Sequence, residues 1–430
     1  MALRILKSAS ALALAVVLFT PSMASAQFGN LGRRIAGAAS DQVAREIEQL
    51  VRDGVRCAFR DQACIARAKA EGKTPIMTDD DGNLMTDEDG RPMTDPAEAA
   101  AKAGPAVRPG TGAWVNYDFV PGDRLLFYDD YGNDRVGDFP RRFELLAGNW
   151  EVAEWQGQRY LRGTTGGTVS IPLPVTLPEQ FTIEFPASVQ HGNASIRVST
   201  APVDHGDRSY AGSTPTLAYS QAGLRPQRNE GPTTMTTRQQ GASQAALVTI
   251  RIMADGSYMK MYSNDHRVAN APNAVFPRTN KLFFTIAWAS DASPVMIGPV
   301  RIAAGGLDLY DALARDGRVA TQGILFAVNS DVIRPESTPT LKEIGDMLNE
   351  HADLRLGIEG HTDSDGDDAY NLDLSQRRAA AVKAFIVETY GVSESRLLTE
   401  GFGETRPAAD NATPEGKQQN RRVELVRQGG

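Results

Sequence analysis

Apolar positions change their spacing several times along this chain, and each change marks a different kind of element. Ala9 to Phe19 is a run of about eleven almost entirely apolar residues, preceded by Arg4 and Lys7 and followed by Pro21 and Ala24-Ser25-Ala26. A basic start, an apolar stretch of that length and an A-x-A site predict a cleaved export signal over residues 1–26. A transmembrane anchor would need about 20 apolar residues. Gln27 follows the cut, not Cys, so no lipid anchor is expected. From 30 to 72 the apolar positions recur at helical spacing, with Val43, Ile47, Leu50 and Val51 on one face.

Between 113 and 304 the pattern becomes short alternating or apolar runs separated by turn residues: Arg124–Tyr128, Phe181–Phe185, Ser195–Ser199, Ala246–Met253, Tyr258–Tyr262 and Lys281–Ala287. Asp255-Gly256 joins two of them as a hairpin. This spacing predicts an all-β block, a two-sheet sandwich or jelly roll. From Leu313 to Val426 strands and helices alternate. Gly323–Val328 reads as a strand, Leu341, Ile344 and Leu348 as a helix face, and Leu354, Leu356 and Ile358 as a half-buried strand. A helix with Val382, Phe385 and Ile386 inward stops at Gly391, and Leu397–Gly403 and Val423–Val426 supply the last strands.

Composition narrows the choices. The 45 Lys and Arg against 53 Asp and Glu leave a formal charge of −8, and 41% hydrophobic with 23% charged residues is too polar for a multi-helix membrane protein. The acidic balance argues against a nucleic-acid partner, which needs clustered basic residues. Two cysteines and five histidines, without an HExxH, leave little for a zinc enzyme. In an exported chain Cys57 and Cys64 should pair. On one straight helix they would lie about 10.5 Å apart, too far for a disulfide, which predicts a bridge stapling a helix–turn–helix with its turn near Arg60-Asp61-Gln62.

An eight-residue repeat follows: Met77-Thr78-Asp79-Asp80-Asp81-Gly82-Asn83-Leu84, Met85-Thr86-Asp87-Glu88-Asp89-Gly90-Arg91-Pro92, then Met93-Thr94-Asp95. An EF-hand loop from Asp79 would need Gly and Glu where Leu84 and Gly90 stand, so a solvated tether with tight DG turns is expected, continued by the Ala/Pro/Gly stretch 96–112.

The β block carries no GxSxG elbow and no paired carboxylates in an E-x-D-x-x-E run, so no catalytic residue is assigned. His191, His205 and His266 stand alone. Asp129, Asp130, Asn133, Asp134 and Asp138 could collect one Ca²⁺, but a solvated acidic loop is the better expectation. With Phe181-Thr182-Ile183-Glu184-Phe185 and the loop Tyr128–Asp138 the block loosely resembles concanavalin-type or laminin-G-like sandwiches. An outer-membrane barrel, the alternative, needs strands of about 9–11 residues and aromatic girdles; here the runs are shorter, and Tyr219–Gln240 is polar without pattern. A glycan-processing enzyme in this block is the remaining alternative.

The C-terminal region holds the candidate site. Gly360-His361-Thr362-Asp363-Ser364-Asp365-Gly366 turns out of a strand, and Tyr370-Asn371-Leu372-Asp373-Leu374-Ser375-Gln376-Arg377-Arg378-Ala379 enters the next helix. That places Arg378 to point back toward Asp363. A carboxylate beside a guanidinium suits a zwitterionic ligand, Arg gripping a carboxylate and Asp an ammonium. Calcium at Asp363, Asp365 and Asp367 lacks a twelfth-position Glu.

These pieces, with Gly401-Phe402-Gly403, Pro407 and Asn420-Arg421-Arg422-Val423-Glu424, resemble the OmpA-like peptidoglycan-binding domain shared by outer-membrane protein A, the Pal lipoprotein and flagellar stator B proteins. The pattern departs at Lys417, where Gly-Arg is commoner. The resemblance implies a β/α sandwich of βαβαβ type with helices on one face, binding the peptide stem of peptidoglycan. It implies that Asp363 and Arg378 hold the amino and carboxylate groups of meso-diaminopimelate, that Thr362, Asn371 and Leu374 add contacts, and that Asn420 and Arg421 close or support the site. No cofactor and no metal ligand is implied.

The expected organisation is a multidomain chain: signal peptide 1–26, helical unit 27–75 with the Cys57–Cys64 bridge, acidic repeat and linker 76–112, β-sandwich 113–304 and OmpA-like domain 313–428. The expected function is a non-enzymatic protein of the periplasm or outer membrane, anchored to peptidoglycan, whose sandwich recognises an envelope glycan or an outer-membrane protein.

Overall fold

The computed structural model describes residues 49–50, 52–87, 90–104, 107–112, 114, 117–155, 157–189, 194–202, 216–220, 223–227, 247–271, 276–305 and 309–429, with 216–220 and 223–227 as backbone alone. The expected export signal, Val43 and Ile47, and His191 and His205 lie outside the described residues.

Among the described residues, the two cysteines do not sit on two helices joined by a turn. Strand β1 (Val55–Ala58) and strand β2 (Pro75–Thr78) pair in parallel, and helix α1 (Gln62–Ala70) connects them. Asp61 caps α1 by accepting the Cys64 N–H at 3.0 Å. Cys57 and Cys64 are bridged with a Cα–Cα distance of 5.7 Å, so the disulfide staples a strand to a helix. Residues 55–58 read as helical by apolar spacing, but pairing with Pro75 to Thr78 holds them extended, and tertiary context outweighs local preference.

The acidic repeat is folded and not a tether. Met85 N–H donates to Met77 O at 3.0 Å, Met93 N–H to Met85 O at 2.8 Å, and Met77 N–H to Met93 O at 2.8 Å, which closes a three-membered ring of backbone bonds. Between these corners each repeat doubles back, Asp79 N–H reaching Asn83 O and Asp87 N–H reaching Arg91 O at 2.9 Å. The three methionines are buried with the disulfide, Phe59 and Ile65, joined by Ala99 of helix α2 (Pro96–Ala103). The DG turns are real; the period-eight methionine is what gives them a core to fold around.

The middle region is all-β, built from β3 (Arg124–Asp129), β4 (Glu144–Ala147), β5 (Trp150–Trp155), β6 (Gln158–Gly163), β7 (Gly167–Pro172), β8 (Gln180–Val189), β9 (Ser195–Ser199), β10 (Thr216–Ser220), β11 (Gly223–Gln227), β12 (Val248–Asp255), β13 (Tyr258–Ser263), β14 (His266–Ala271), β15 (Lys281–Ala287), β16 (Val295–Ile297) and β17 (Val300–Ala304). One sheet runs β11-β10-β9-β15-β7-β4, the other β14-β13-β12-β8-β16-β6-β5, with β17 pairing β8 and β3. Their facing side chains share one core: Ile183 and Phe185 of β8 and Ile252 of β12 meet Ile196 and Val198 of β9 and Phe284 of β15. The Phe185 and Phe284 rings cross edge to face at 5.1 Å. An outer-membrane barrel turns its apolar face outward to lipid; here the described strands turn it inward between two sheets. The acidic loop after β3 is only partly solvated, because Asp129 and Asp134 are buried, Asp129 accepting the Tyr131 N–H and Asp134 the Arg141 side chain.

The C-terminal part is α/β. Helix α3 (Leu309–Asp316) leads into β18 (Arg318–Thr321), followed by helix α4 (Thr338–Glu350), β19 (Leu356–His361), helix α5 (Asp368–Tyr390), β20 (Leu397–Gly403), helix α6 (Pro414–Asn420) and β21 (Val423–Arg427). The sheet order is β18-β21-β19-β20, and Leu341, Ile344, Val382 and Ile386 cover one face of it. The expected strand at 323–328 is not formed: Phe326 alone bridges Ile333, and the edge strand is Arg318–Thr321. Ser337 Oγ both accepts the Leu325 N–H at 2.8 Å and donates to Leu325 O at 3.1 Å, which occupies the groups a sheet ladder would use.

A line of charges, exposed at Asp81 and buried from Glu336 to Arg251 and Arg301, ties the three parts together. Asp81 of the repeat pairs with Arg334 at 2.5 Å, Arg334 with Glu336 at 2.7 Å, Glu336 with Arg251 of β12 at 3.4 Å, and Glu184 of β8 with Arg251 at 3.6 Å and Arg301 at 2.8 Å. Removing one member of a buried ionic set strands its partners. Glu336→Ala should therefore lower the unfolding free energy by roughly 3 kcal/mol, read from denaturant midpoints, and a loss within measurement error would show that the line is dispensable.

Candidate functional site

The site forms where β19 ends and α5 begins. Gly360 and Gly401 let the helix lie directly on the strands: a Cβ at Gly360 would sit 2.3 Å from Ser375 O, and one at Gly401 2.3 Å from Gln376 N. Ser375 Oγ then accepts the Gly403 N–H at 2.8 Å and Gln376 Oε1 the Gly401 N–H at 2.7 Å. The loop between strand and helix is stapled by Asn371, whose Nδ2 donates to Asp363 O at 3.3 Å, Asp365 O at 3.1 Å and Glu404 Oε2 at 2.8 Å. Asp367 caps α5 by accepting the Ala369 and Tyr370 N–H groups at 3.1 Å.

Asp363 and Arg378 do not pair with each other. Asp363 Oδ1 accepts the Asp365 N–H at 3.1 Å and its Oδ2 receives Arg421 Nη1. Arg378 Nε donates to Ser330 O at 2.9 Å, its Nη2 to Ala327 O at 3.5 Å, and its guanidinium lies 4.9 Å from the Phe326 ring. Burial pulls the Arg378 pKa down to about 10, which leaves it cationic at neutral pH. The Asp363 carboxylate is thus held by Arg421, while the Arg378 guanidinium is held on the carbonyls of 327–330. Sequence separation hid this arrangement: Arg421 lies 58 positions from Asp363, and the carbonyls that receive Arg378 come from 327–330, where side-chain chemistry gives no sign of a role.

The other expected residues fall into two groups. Thr362 is buried, with its N–H on Gly403 O at 2.9 Å and its Oγ1 without a partner, and Leu374 is buried beneath the loop. Asn420 is a support: its Oδ1 accepts the Ala408 and Ala409 N–H groups at 2.7 and 3.0 Å, and its Nδ2 donates to Ala409 O and Asn411 Oδ1. Lys417, the departure from the expected pattern, pairs with Asp365 at 2.7 Å. With Asp363 on Arg421, Asp365 on Lys417 and Asp367 on the helix start, each carboxylate of the loop is already engaged.

On the other face of the sheet Glu359, His361 and Glu424 place ligand-capable atoms within 4.8 Å of one another. Arg422 Nε donates to Glu424 Oε1 at 2.7 Å and Arg318 Nη2 to Glu359 Oε2 at 3.2 Å, so guanidinium already supplies the counter-charge a cation would bring.

Residues 325–421 match the model described as the OmpA family. This segment is an OmpA family domain. Over 101 residues the chain is 44% identical to Outer membrane porin F of Pseudomonas aeruginosa, a match covering 24% of this chain and 29% of that protein. Among solved structures it is similar to the cell wall anchor of the T6SS from Pseudomonas aeruginosa, at 32% identity over 28% of this chain and 94% of that one, TM-score 0.24. It is also similar to the peptidoglycan-associated lipoprotein from Burkholderia pseudomallei, at 30% identity over 24% and 88%, TM-score 0.23. The chain spans less than a third of the length of the first curated relatives it matches, 29% and 31%.

Within the OmpA family domain His361, the residue before Thr362, is buried against Phe402 with neither ring nitrogen hydrogen-bonded. Burial, then Arg422, holds its pKa down to about 4, while Glu424 pulls the other way. An unfolded histidine titrates near 6.5. Between those values the unfolded chain binds more protons, so stability is lost as pH falls from about 6.5 toward 4. His361→Gln should flatten the fall in urea midpoint between pH 7 and pH 4.5, and parallel curves for parent and variant would contradict a neutral His361.

Proposed function

We propose that the OmpA family domain binds the peptide stem of peptidoglycan non-covalently at a diaminopimelate residue, anchoring an exported envelope protein to the wall. The observation that carries this reading is the corner in which Asp363 lies between the Asp365 N–H and Arg421 while Arg378 stands on the helix that follows the loop. Diaminopimelate presents an ammonium and a carboxylate on one carbon. Asp363 takes the ammonium, and Arg378 takes the carboxylate in exchange for its carbonyl contacts, a two-point charge-assisted grip. Thr362 Oγ1, which has no partner within the protein, adds a polar contact, and Leu374 gives the floor.

A few such bonds, at about 1.5–3 kcal/mol each before ordering costs, give modest affinity. A wall presenting many stems makes modest affinity sufficient, since a released site rebinds locally. The name of the porin relative supports an outer-membrane or periplasmic setting, as do the basic start and apolar run of residues 1–26. In this reading the middle region is a β-sandwich that recognises an envelope glycan or an outer-membrane protein, and it has no catalytic role.

Residues 27–430 should co-sediment with purified diaminopimelate-type sacculi. Asp363→Asn, which keeps an acceptor for the Asp365 N–H, and Arg378→Ala should each leave most of the protein in the supernatant with little change in melting. Pelleting of both folded variants as fully as the parent would overturn the assignment.

A further inference from the structure

Arg421 belongs to the OmpA family domain, yet part of its guanidinium faces the middle region. Nη1 holds Asp363, while Nη2 donates to Gln418 Oε1 at 2.6 Å and lies 3.5 Å from the hydroxyl of Tyr128. Tyr128 is at the end of β3, and its ring centroid is 5.8 Å from the Arg421 guanidinium carbon. The tyrosine is itself fixed on the C-terminal domain. Arg142 Nη1 donates to Tyr128 O at 2.5 Å, the same guanidinium pairs with Glu415 on α6, and its plane lies 4.6 Å from the Phe127 ring. Burial pushes the Tyr128 hydroxyl up to about 12, so it remains a neutral acceptor and donor at ordinary pH. Asp130, just beyond the strand, adds negative charge that favours the Arg421 cation.

A guanidinium offers its donors in one rigid plane, so two anchors on Nη2 set the direction in which Nη1 meets Asp363. We infer that the wall-binding site is completed by the middle region, with Tyr128 as a positioning residue that orients Arg421 and, through it, the Asp363 carboxylate that receives the ligand ammonium. This rests on the peptidoglycan reading given above. Without the hydroxyl, Arg421 turns further onto Asp363 and competes with the incoming ammonium. Because the contact crosses between the two regions, occupancy of the wall site and the seating of β3 on α6 are linked reciprocally.

Calorimetric titration of residues 27–430 with a soluble stem peptide containing meso-diaminopimelate tests this. Tyr128→Phe should bind roughly three- to tenfold more weakly, the scale of one ordinary net hydrogen bond, with unchanged melting. The same replacement in an Arg421→Gln background should cause no further loss, a result that a purely structural tyrosine would not give. Parent-like affinity in Tyr128→Phe, or an equal loss in both backgrounds, overturns this inference while leaving the peptidoglycan reading standing. Failure of the parent to bind the stem overturns both.

Discussion

The site depends on how closely α5 lies on β19 and β20. Gly360 and Gly401 remove the two side chains that would hold the helix off, and the gap closes far enough for Ser375 and Gln376 to replace missing strand partners at Gly403 and Gly401. Once the helix is locked there, its first turns fall into place around the loop. Asn371 holds the carbonyls of Asp363 and Asp365, and Arg378, two turns on, reaches the 327–330 segment. A larger residue at either glycine would move the carboxylate and the guanidinium together, because both are positioned by the same helix-to-sheet distance.

Much of this was legible in the sequence, for physical reasons that differ by element. The loop-to-helix signature survives reading because each of its residues has a local job: Asp367 caps, Asn371 staples, Gly391 stops the helix in a left-handed turn with φ 68°. The resemblance put Arg421 at the site, but its direct pairing with Asp363 was not legible, because Arg421 arrives from a distant turn and the contact is fixed by tertiary placement. The repeat misled for a related reason. Its Asp-Gly turns and acidic charge look solvated one repeat at a time, and only the closing bond from Met77 to Met93 makes a core. In the middle region the runs marked the strands, but the order β11-β10-β9-β15-β7-β4 reflects pairings between segments far apart in sequence.

The OmpA family domain is seated on the other parts of the chain by ion pairs. The line of ion pairs from Asp81 through Arg334, Glu336 and Arg251 to Glu184 and Arg301 joins the repeat, the C-terminal domain and the β region. Arg377 of α5 lies 3.7 Å from Asp61, and Arg67 covers the Tyr370 ring at 4.0 Å, so the N-terminal unit also rests on the helix that carries Arg378. Replacing a buried ion pair by apolar residues is often neutral, whereas removing one partner is costly, so each pair constrains where its two elements sit. In this chain they hold the repeat and the β region against the segment at Arg334 and Glu336.

The most direct measurement compares soluble stem peptides that differ only at the third residue, diaminopimelate against lysine, titrated into residues 27–430. Lysine lacks the carboxylate assigned to Arg378. The account predicts at least about tenfold weaker binding of the lysine peptide, the scale of one lost charge-assisted contact. Equal affinity for the two peptides would contradict recognition of the zwitterionic head group by Asp363 and Arg378.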